Sequence, residues 1–186
     1  SVWGSVVDVS GATAANTTYT VTYGAGLTDI WGQTLGEPVT AEFSFGHAQP
    51  FLRGFDRQFV TVDPLAATPA VSVHTVNHES VHVTAWAVGP DQIEAFRQYQ
   101  ERAWRDTAAG EPDWPVVMDT DVRIDAAADV PAETFVDLTE AFAEGGSQLV
   151  VRIESNLDIG PNDNLWYQNQ PTFAWVQRTT LGVDAF

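Results

Sequence analysis

The sequence of 186 residues contains no cysteine. Disulfide staples, thiolate metal ligands, a cysteine nucleophile and a cysteine-based internal thioester are therefore excluded from this stretch. It contains no lysine either: all eight basic residues are arginine, against 25 acidic ones, and the formal charge is −17. Without a basic stripe to displace counterions, a nucleic-acid partner is disfavoured, and an anionic membrane surface repels such a chain for the same reason. Acidity of this degree keeps a secreted or periplasmic protein soluble, and it is also what a high-salt organism selects. No run approaches the ~18 apolar residues of a membrane-spanning helix. Ser1 opens directly on strand-like sequence, so if there is a signal or lipid anchor it is expected outside this stretch.

What the chain does have is core-forming material. It is 44% hydrophobic, with seven Trp and ten Phe, so its acidity does not read as disorder. The length suits one large domain or two small ones, sandwiches of roughly 100 residues being the common all-β unit.

Strand patterns dominate the first 46 residues. In TYTVTY (18–23), Tyr19, Val21 and Tyr23 share one face and three Thr the other, and AEFSF (41–45) alternates again with Phe43 and Phe45 expected inward. Between them, GAGLTDIWGQTLGEPV carries turn glycines at 24, 26, 32 and 36. With a further strand over 2–9, this gives three or four strands against the about seven of a complete immunoglobulin-like sandwich, as in the C-terminal half of a domain. GHAQPFLRG (46–54) reads as a linker, with a new module starting near Pro50.

The second module opens with FVTV (59–62), AVSVHTV (70–76) and SVHVTAWAV (80–88). The last two are expected to form a hairpin closed by NHES, with Val71, Val73, Val81, Val83 and Ala85 on one buried face. The period then changes. Asp91 with Glu94 reads as a capping box, and Ile93, Phe96, Gln100, Ala103 and Trp104 recur at helical spacing, predicting one short helical insertion near 91–106. Strands are predicted near 116–124, 133–137, 148–154 and 172–179, with a turn of helix in DLTEAF (137–142). The fold class is all-β, with no internal repeat.

Four residue groups invite a chemical reading. His74, His78 and His82 lie along the expected hairpin. His74 and His82 sit opposite the buried Val set as cross-strand neighbours, while His78 belongs to the turn, so a third metal ligand lacks an obvious donor. Asp158, Asn162, Asp163 and Asn164 in NLDIGPNDN concentrate oxygen ligands suited to calcium, but their spacing is not that of an EF-hand, and such clusters ordinarily form turns. Asp119, Asp121 and Asp125 read as the charged face of an edge strand rather than a glycosidase carboxylate pair. Trp3, Trp31, Trp86, Trp104, Trp114, Trp166 and Trp175 could stack on sugars, although packing is the default for large rings. NTT (16–18) fits a glycosylation acceptor, relevant only in a eukaryotic secretory route. No nucleophile elbow, phosphate-cradling glycine loop or His-Glu-x-x-His element is present, so no catalytic, cofactor-binding or metal residue is assigned and no enzyme activity or cofactor is expected.

FAWVQRTTLGVDAF (173–186) resembles the strand and linker joining two macroglobulin domains in bacterial alpha-2-macroglobulins, where an aromatic, Trp-Val-Gln and a Thr-x-Leu-Gly motif recur. VSVHTVNHESVHVTAWAV running into the capped helix, FVDLTEAF stepping to GGSQLVVRIES, and TYTVTYGAGLTDIWGQTL of a preceding bacterial immunoglobulin-like domain are similar to the same proteins, in the same order. The resemblance implies immunoglobulin-like and macroglobulin-type β-sandwich modules. Residues 1–46 would be the C-terminal part of an immunoglobulin-like domain, and 47–186 a macroglobulin-like domain with a helical insertion and a linker to a following module. It further implies a large periplasmic or cell-surface protein, often lipid-anchored, that entraps proteases cleaving a bait region; the thioester of many members cannot lie in a chain without Cys. The expected function is a non-catalytic structural module of such an inhibitor. Its partners would be neighbouring sandwich modules, with proteases engaged through the full-length protein and a membrane met only through an anchor elsewhere. An adhesin or carbohydrate-binding sandwich module is the alternative.

Overall fold

The structure is a computed structural model that describes residues 2–3, 6–7, 10–105 and 110–180. It divides into two compact units, Ser1–Ala48 and Gln49–Phe186. The predicted linker tail at 181–186 lies outside the described residues, as do the side chains of Trp3 and Trp104.

In the first unit, β1 (Val2–Trp3) pairs with β2 (Val6–Val7), and β3 (Thr17–Tyr23) pairs antiparallel with β4 (Val39–Phe45). Tyr19 stands opposite Phe43 and Val21 opposite Ala41, so the apolar residues share a face as their alternation requires. Phe43 and Phe45 are nevertheless 47% and 43% exposed, not inward. A two-stranded ribbon has no second layer of its own to bury that face. Ile30 and Trp31, in the loop between β3 and β4, are exposed as well.

The second unit is a sandwich with a helix laid on its outside. Strands β10 (Ala132–Asp137), β7 (Ala70–Val76) and β5 (Phe51–Arg53) form one sheet in that order. β6 (Phe59–Val62), β12 (Thr172–Arg178), β11 (Gln148–Ser155), β8 (Ser80–Ala87) and β9 (Val116–Arg123) form the other. β5, inside the stretch expected to be linker, is the start of the sandwich. β5 pairs antiparallel with β7, the chain crosses at 54–58, and β6 pairs parallel with β12, so the opening strand is divided between the sheets. At that crossing a side chain on Gly54 would place its Cβ 2.1 Å from Oγ1 and 3.1 Å from Cβ of Thr172; only glycine lets the backbone pass so close.

Val71, Val73, Val81, Val83 and Ala85 are all buried in one core, as the alternation predicts, together with Leu149, Val151 and Ile153. The expected hairpin does not form: β7 and β8 belong to different sheets. Their valines meet face to face across the sandwich instead of side by side, which satisfies the same alternation. The connection turns at Asn77, whose φ is 55°; its side-chain oxygen accepts from Asp129 N at 2.7 Å and its amide donates to Asp129 Oδ1 at 3.0 Å. On the way from β10 to β11, α2 (Thr139–Gly145) drops Ala141 and Phe142 into the core, with Asp137 Oδ1 accepting from Thr139 N at 2.8 Å at its start.

Between β8 and β9 the chain makes a 3-10 turn (Pro90–Gln92) and then α1 (Ile93–Arg105). The reciprocal cap is formed by Gln92, whose Oε1 accepts from Gly89 N at 2.8 Å, and not by the Asp91–Glu94 pair. Helical spacing turns Phe96 and Tyr99 toward the sheet, where they join Trp86, Val150, Phe173 and Trp175 in a second core on its outer face. The rings meet edge to face: Phe96 on Trp175 at 5.8 Å and Tyr99 on Phe173 at 5.5 Å between centroids. Beneath α1 the central strands are thus buried on both sides, which is why β8, β11 and β12 each carry three or four consecutive buried residues while β9 at the edge is largely exposed.

Candidate functional site

β11 alternates Leu149, Val151 and Ile153 into the inter-sheet core, leaving Val150, Arg152 and Glu154 on the α1 side. Register then sets their neighbours. Val150 lies between Trp86 and Trp175, Arg152 between Thr84 and Phe173, and Glu154 beside His82. This face therefore grades from aromatic beneath the helix to charged beyond it.

Arg152 occupies the boundary. Its Nη1 donates to Glu111 Oε1 at 2.7 Å and to the Tyr99 hydroxyl at 3.2 Å, and Nη2 donates to Thr84 Oγ1 at 3.3 Å and lies 3.3 Å from Glu154 Oε1. The guanidinium also stands 5.2 Å over the ring of Trp86. Its Nε is buried with no hydrogen-bond partner, so the contacts at Nη1, Nη2 and the ring face carry the compensation for a largely desolvated arginine. Burial pushes the Tyr99 hydroxyl above its ordinary value, against the pull of Arg152, so it stays protonated. Beside the guanidinium opens a cleft of 350 Å³. It is lined by Tyr99, Glu111, Arg152, Glu154 and Phe173 and by the 156–171 connection with Trp166 and Asn169. Nothing in the alternation of β11 alone distinguished this arginine from an exposed one; the signal was its place opposite Thr84 and Phe173, which requires the register.

The three histidines are not brought together. His74 lies on β7 with Glu133 4.0 Å away. His82 lies on the other sheet, so the two are not cross-strand neighbours. Its Nδ1 is 2.9 Å from Asp121 Oδ1 and its Nε2 is 3.0 Å from Asp119 Oδ1. Hydrogen bonds from His82 and Asn156 hold the Asp121 carboxyl below the usual range. Asp119 and Asp121 project from β9, an edge strand as expected; Asp125 is exposed beyond its end. His78 is buried at the β7–β8 turn and bonds Asn169.

In the 156–164 loop, Asp163 Oδ1 accepts from Leu165 N at 2.8 Å, a local turn contact. Among the described residues, no three His, Asp or Glu side chains converge on a point where they could hold a metal ion. Of the tryptophans, Trp86 and Trp175 are core, Trp114 packs on Trp86, Trp166 lines the cleft and Trp31 is exposed.

No family model matches the sequence, and no curated protein matches it. Among solved structures, the chain is similar to native alpha-2-macroglobulin from Escherichia coli spanning domains MG0-NIE-MG1, at a TM-score of 0.52 and 16% identity over 94% of this chain and 53% of that one. The chain has the fold of bacterial alpha-2-macroglobulin modules. A Salmonella alpha-2-macroglobulin variant superposes with a TM-score of 0.58 at 14% identity over 89% of this chain and 9% of that one. The native conformation of E. coli alpha-2-macroglobulin gives 0.51 at 14% identity, over 89% of this chain and 10% of that one. The chain thus spans about half of the first of these structures, by its 53% coverage, and a tenth or less of the others.

Proposed function

We propose that the chain is a non-catalytic structural module of a bacterial alpha-2-macroglobulin-like protein that traps proteases. Residues 1–46 would contribute the C-terminal part of an immunoglobulin-like domain, and 47–186 a macroglobulin-like domain with its linker to a following module. The observation carrying this reading is the similarity of fold over 94% of the chain, both units included. The exposed apolar side chains of β4, Val39, Phe43 and Phe45, support it, since they suit a ribbon completed by further strands. The module's partners are then its neighbours in the same protein, proteases are engaged only by the full-length molecule, and the location is extracytoplasmic.

The test uses the full-length parent. Incubated with trypsin, it should leave hydrolysis of a small amide substrate intact while protecting casein, and deletion of 49–180 should abolish the protection. Fractionation should place the parent outside the cytoplasm. Unprotected casein with the intact parent would refute the reading.

A further inference from the structure

The division of the opening strand between the two sheets leaves one side of β7 covered over only part of its length. β10 pairs with residues 70–75 of β7 along one side, whereas β5 pairs only with residues 74–76 along the other. Leu138 N donates to Pro69 O at 2.8 Å, which sets the phase of the ladder. Val71, Val73 and Thr75 therefore direct their backbone groups to β10, while Ala70, Ser72, His74 and Val76 direct theirs to the β5 side. β5 takes up those of His74 and Val76. It then leaves at Gly54, so the N–H and C=O groups of Ala70 and Ser72 face a cleft of 1180 Å³ instead of a strand. β6, the edge strand of the other sheet, borders the same cleft, which Val60, Val62 and Val71 line with apolar surface. Phe135, opposite Ser72 on β10, also lines it and is 67% exposed. The two carboxylates of the cleft are already engaged: Asp56 holds Arg53, and Asp63 accepts from Leu65 N. Recognition is left to the backbone groups and the apolar side chains, and the charge of −17 on the whole chain repels acidic ligands. Free donors and acceptors along a sheet edge, beside an apolar slot, match the needs of one more extended chain.

We propose that this cleft binds an extended peptide segment of another polypeptide, neutral or basic and aliphatic at alternate positions, by strand addition to β7. The segment continues the line of β5, antiparallel to β7: one of its residues bonds both backbone groups of Ser72, and the residue two further on bonds those of Ala70. The residue between them stands opposite Val71 and turns its side chain inward toward Val60 and Val62, as the buried Leu52 does from β5. The residue opposite Ser72 lies on the outer face with Phe135. This site follows from the strand pairing of the second unit and is independent of the module reading.

The probe is the peptide RVTVRVT, blocked at both ends and titrated into the full chain by calorimetry, with amide hydrogen exchange followed residue by residue by NMR. Its counterparts are the same peptide N-methylated at its third and fifth residues, which removes the donors that face β7, and the acidic EVTVEVT. Saturable binding is expected with a dissociation constant of about 0.1 mM, the N-methylated peptide binding about tenfold more weakly or less. Saturation should slow exchange of the Ala70 and Ser72 amides by about tenfold and leave the edges at β9 and β10 unchanged. Ser72→Pro deletes the N–H that faces the cleft and none that β10 uses, so it should weaken the probe about tenfold. Its unfolding curve establishes that the variant folds; the N-methylated peptide on the unaltered chain serves if it does not. Five results overturn the proposal: no saturation below about 1 mM, equal affinity of the N-methylated peptide, tighter binding of EVTVEVT, protection at β9 or β10 instead of at Ala70 and Ser72, or unchanged affinity in the folded variant.

Discussion

The ring of His78 and the side-chain amide of Asn169, 91 residues apart in sequence, meet at 2.9 Å in the interior of the second unit. Asn169 spends its amide hydrogens on Pro50 O at 2.9 Å and Leu165 O at 2.8 Å, so its oxygen is the acceptor and His78 Nε2 the donor. That leaves Nδ1 as the bare nitrogen, buried with no hydrogen-bond partner. Protonation places a charge and a donor there with nothing to receive them.

Burial accordingly pushes the His78 pKa below 6.5, the bond to Asn169 opposing. A lowered folded pKa favours the neutral ring. Its contribution to stability is complete above pH 6.5, the unfolded value, and is lost as pH falls from there through the folded value. Urea unfolding between pH 7.5 and 5 should show a decline of up to about 1.4 kcal/mol per pH unit attributable to this residue. His78→Leu should lack that component of the slope.

Replacing Arg152 by Met should destabilise the second unit by about 2–4 kcal/mol, because Glu111 and Glu154 lose their shared cation while the hydrocarbon stem is retained. Arg152→Lys should recover only part of this, since an ammonium cannot both stack on Trp86 and reach four partners. Chemical denaturation of the two variants checks the order.

Phe96→Ala should cost about 3–5 kcal/mol. Phe96 is fully buried between Trp175 and Phe59, and its loss uncouples α1 from the sheet. A red shift of the tryptophan emission before the main unfolding transition would reveal the helix lifting from Trp86 and Trp175. A single transition with unshifted emission would show the helix and sheet remain one cooperative body.

Gly54→Ala should destabilise by about 1–3 kcal/mol through overpacking against Thr172. Thr172→Ala removes Oγ1, the nearer of the clashing atoms, so the double variant should lose less than the sum of the two singles. A double-mutant cycle of melting curves measures the coupling.

The alternation of TYTVTY, the buried set Val71, Val73, Val81, Val83 and Ala85, and the helical spacing over 91–106 were all legible in the sequence, because each is a local consequence of which face meets a core. The partner across that core was not. A valine in β8 is buried whether β7 lies beside it or opposite it, so alternation alone cannot separate a hairpin from a crossing between sheets. The same ambiguity misplaced His74 against His82. The network at Arg152 stayed hidden for a related reason: its members come from β8, α1, the segment after α1 and β11, and only register and helix placement bring them together. Phe51–Arg53 was hidden by its three-residue length between Pro50 and Gly54.

The division of the opening strand between two sheets has a mechanical consequence. β6 runs parallel to β12, and the two belong to opposite ends of the second unit's chain. Tension that reaches β6 from its N-terminal side and β12 from its C-terminal side therefore pulls the two past one another along their lengths. Their ladder is loaded in shear, so its hydrogen bonds must give way together rather than unzip one at a time. Meanwhile β5, held antiparallel on β7, anchors the leading segment to the other sheet. A unit wired in this way meets tension at β6 and β12 with a ladder that yields as a whole rather than strand end by strand end.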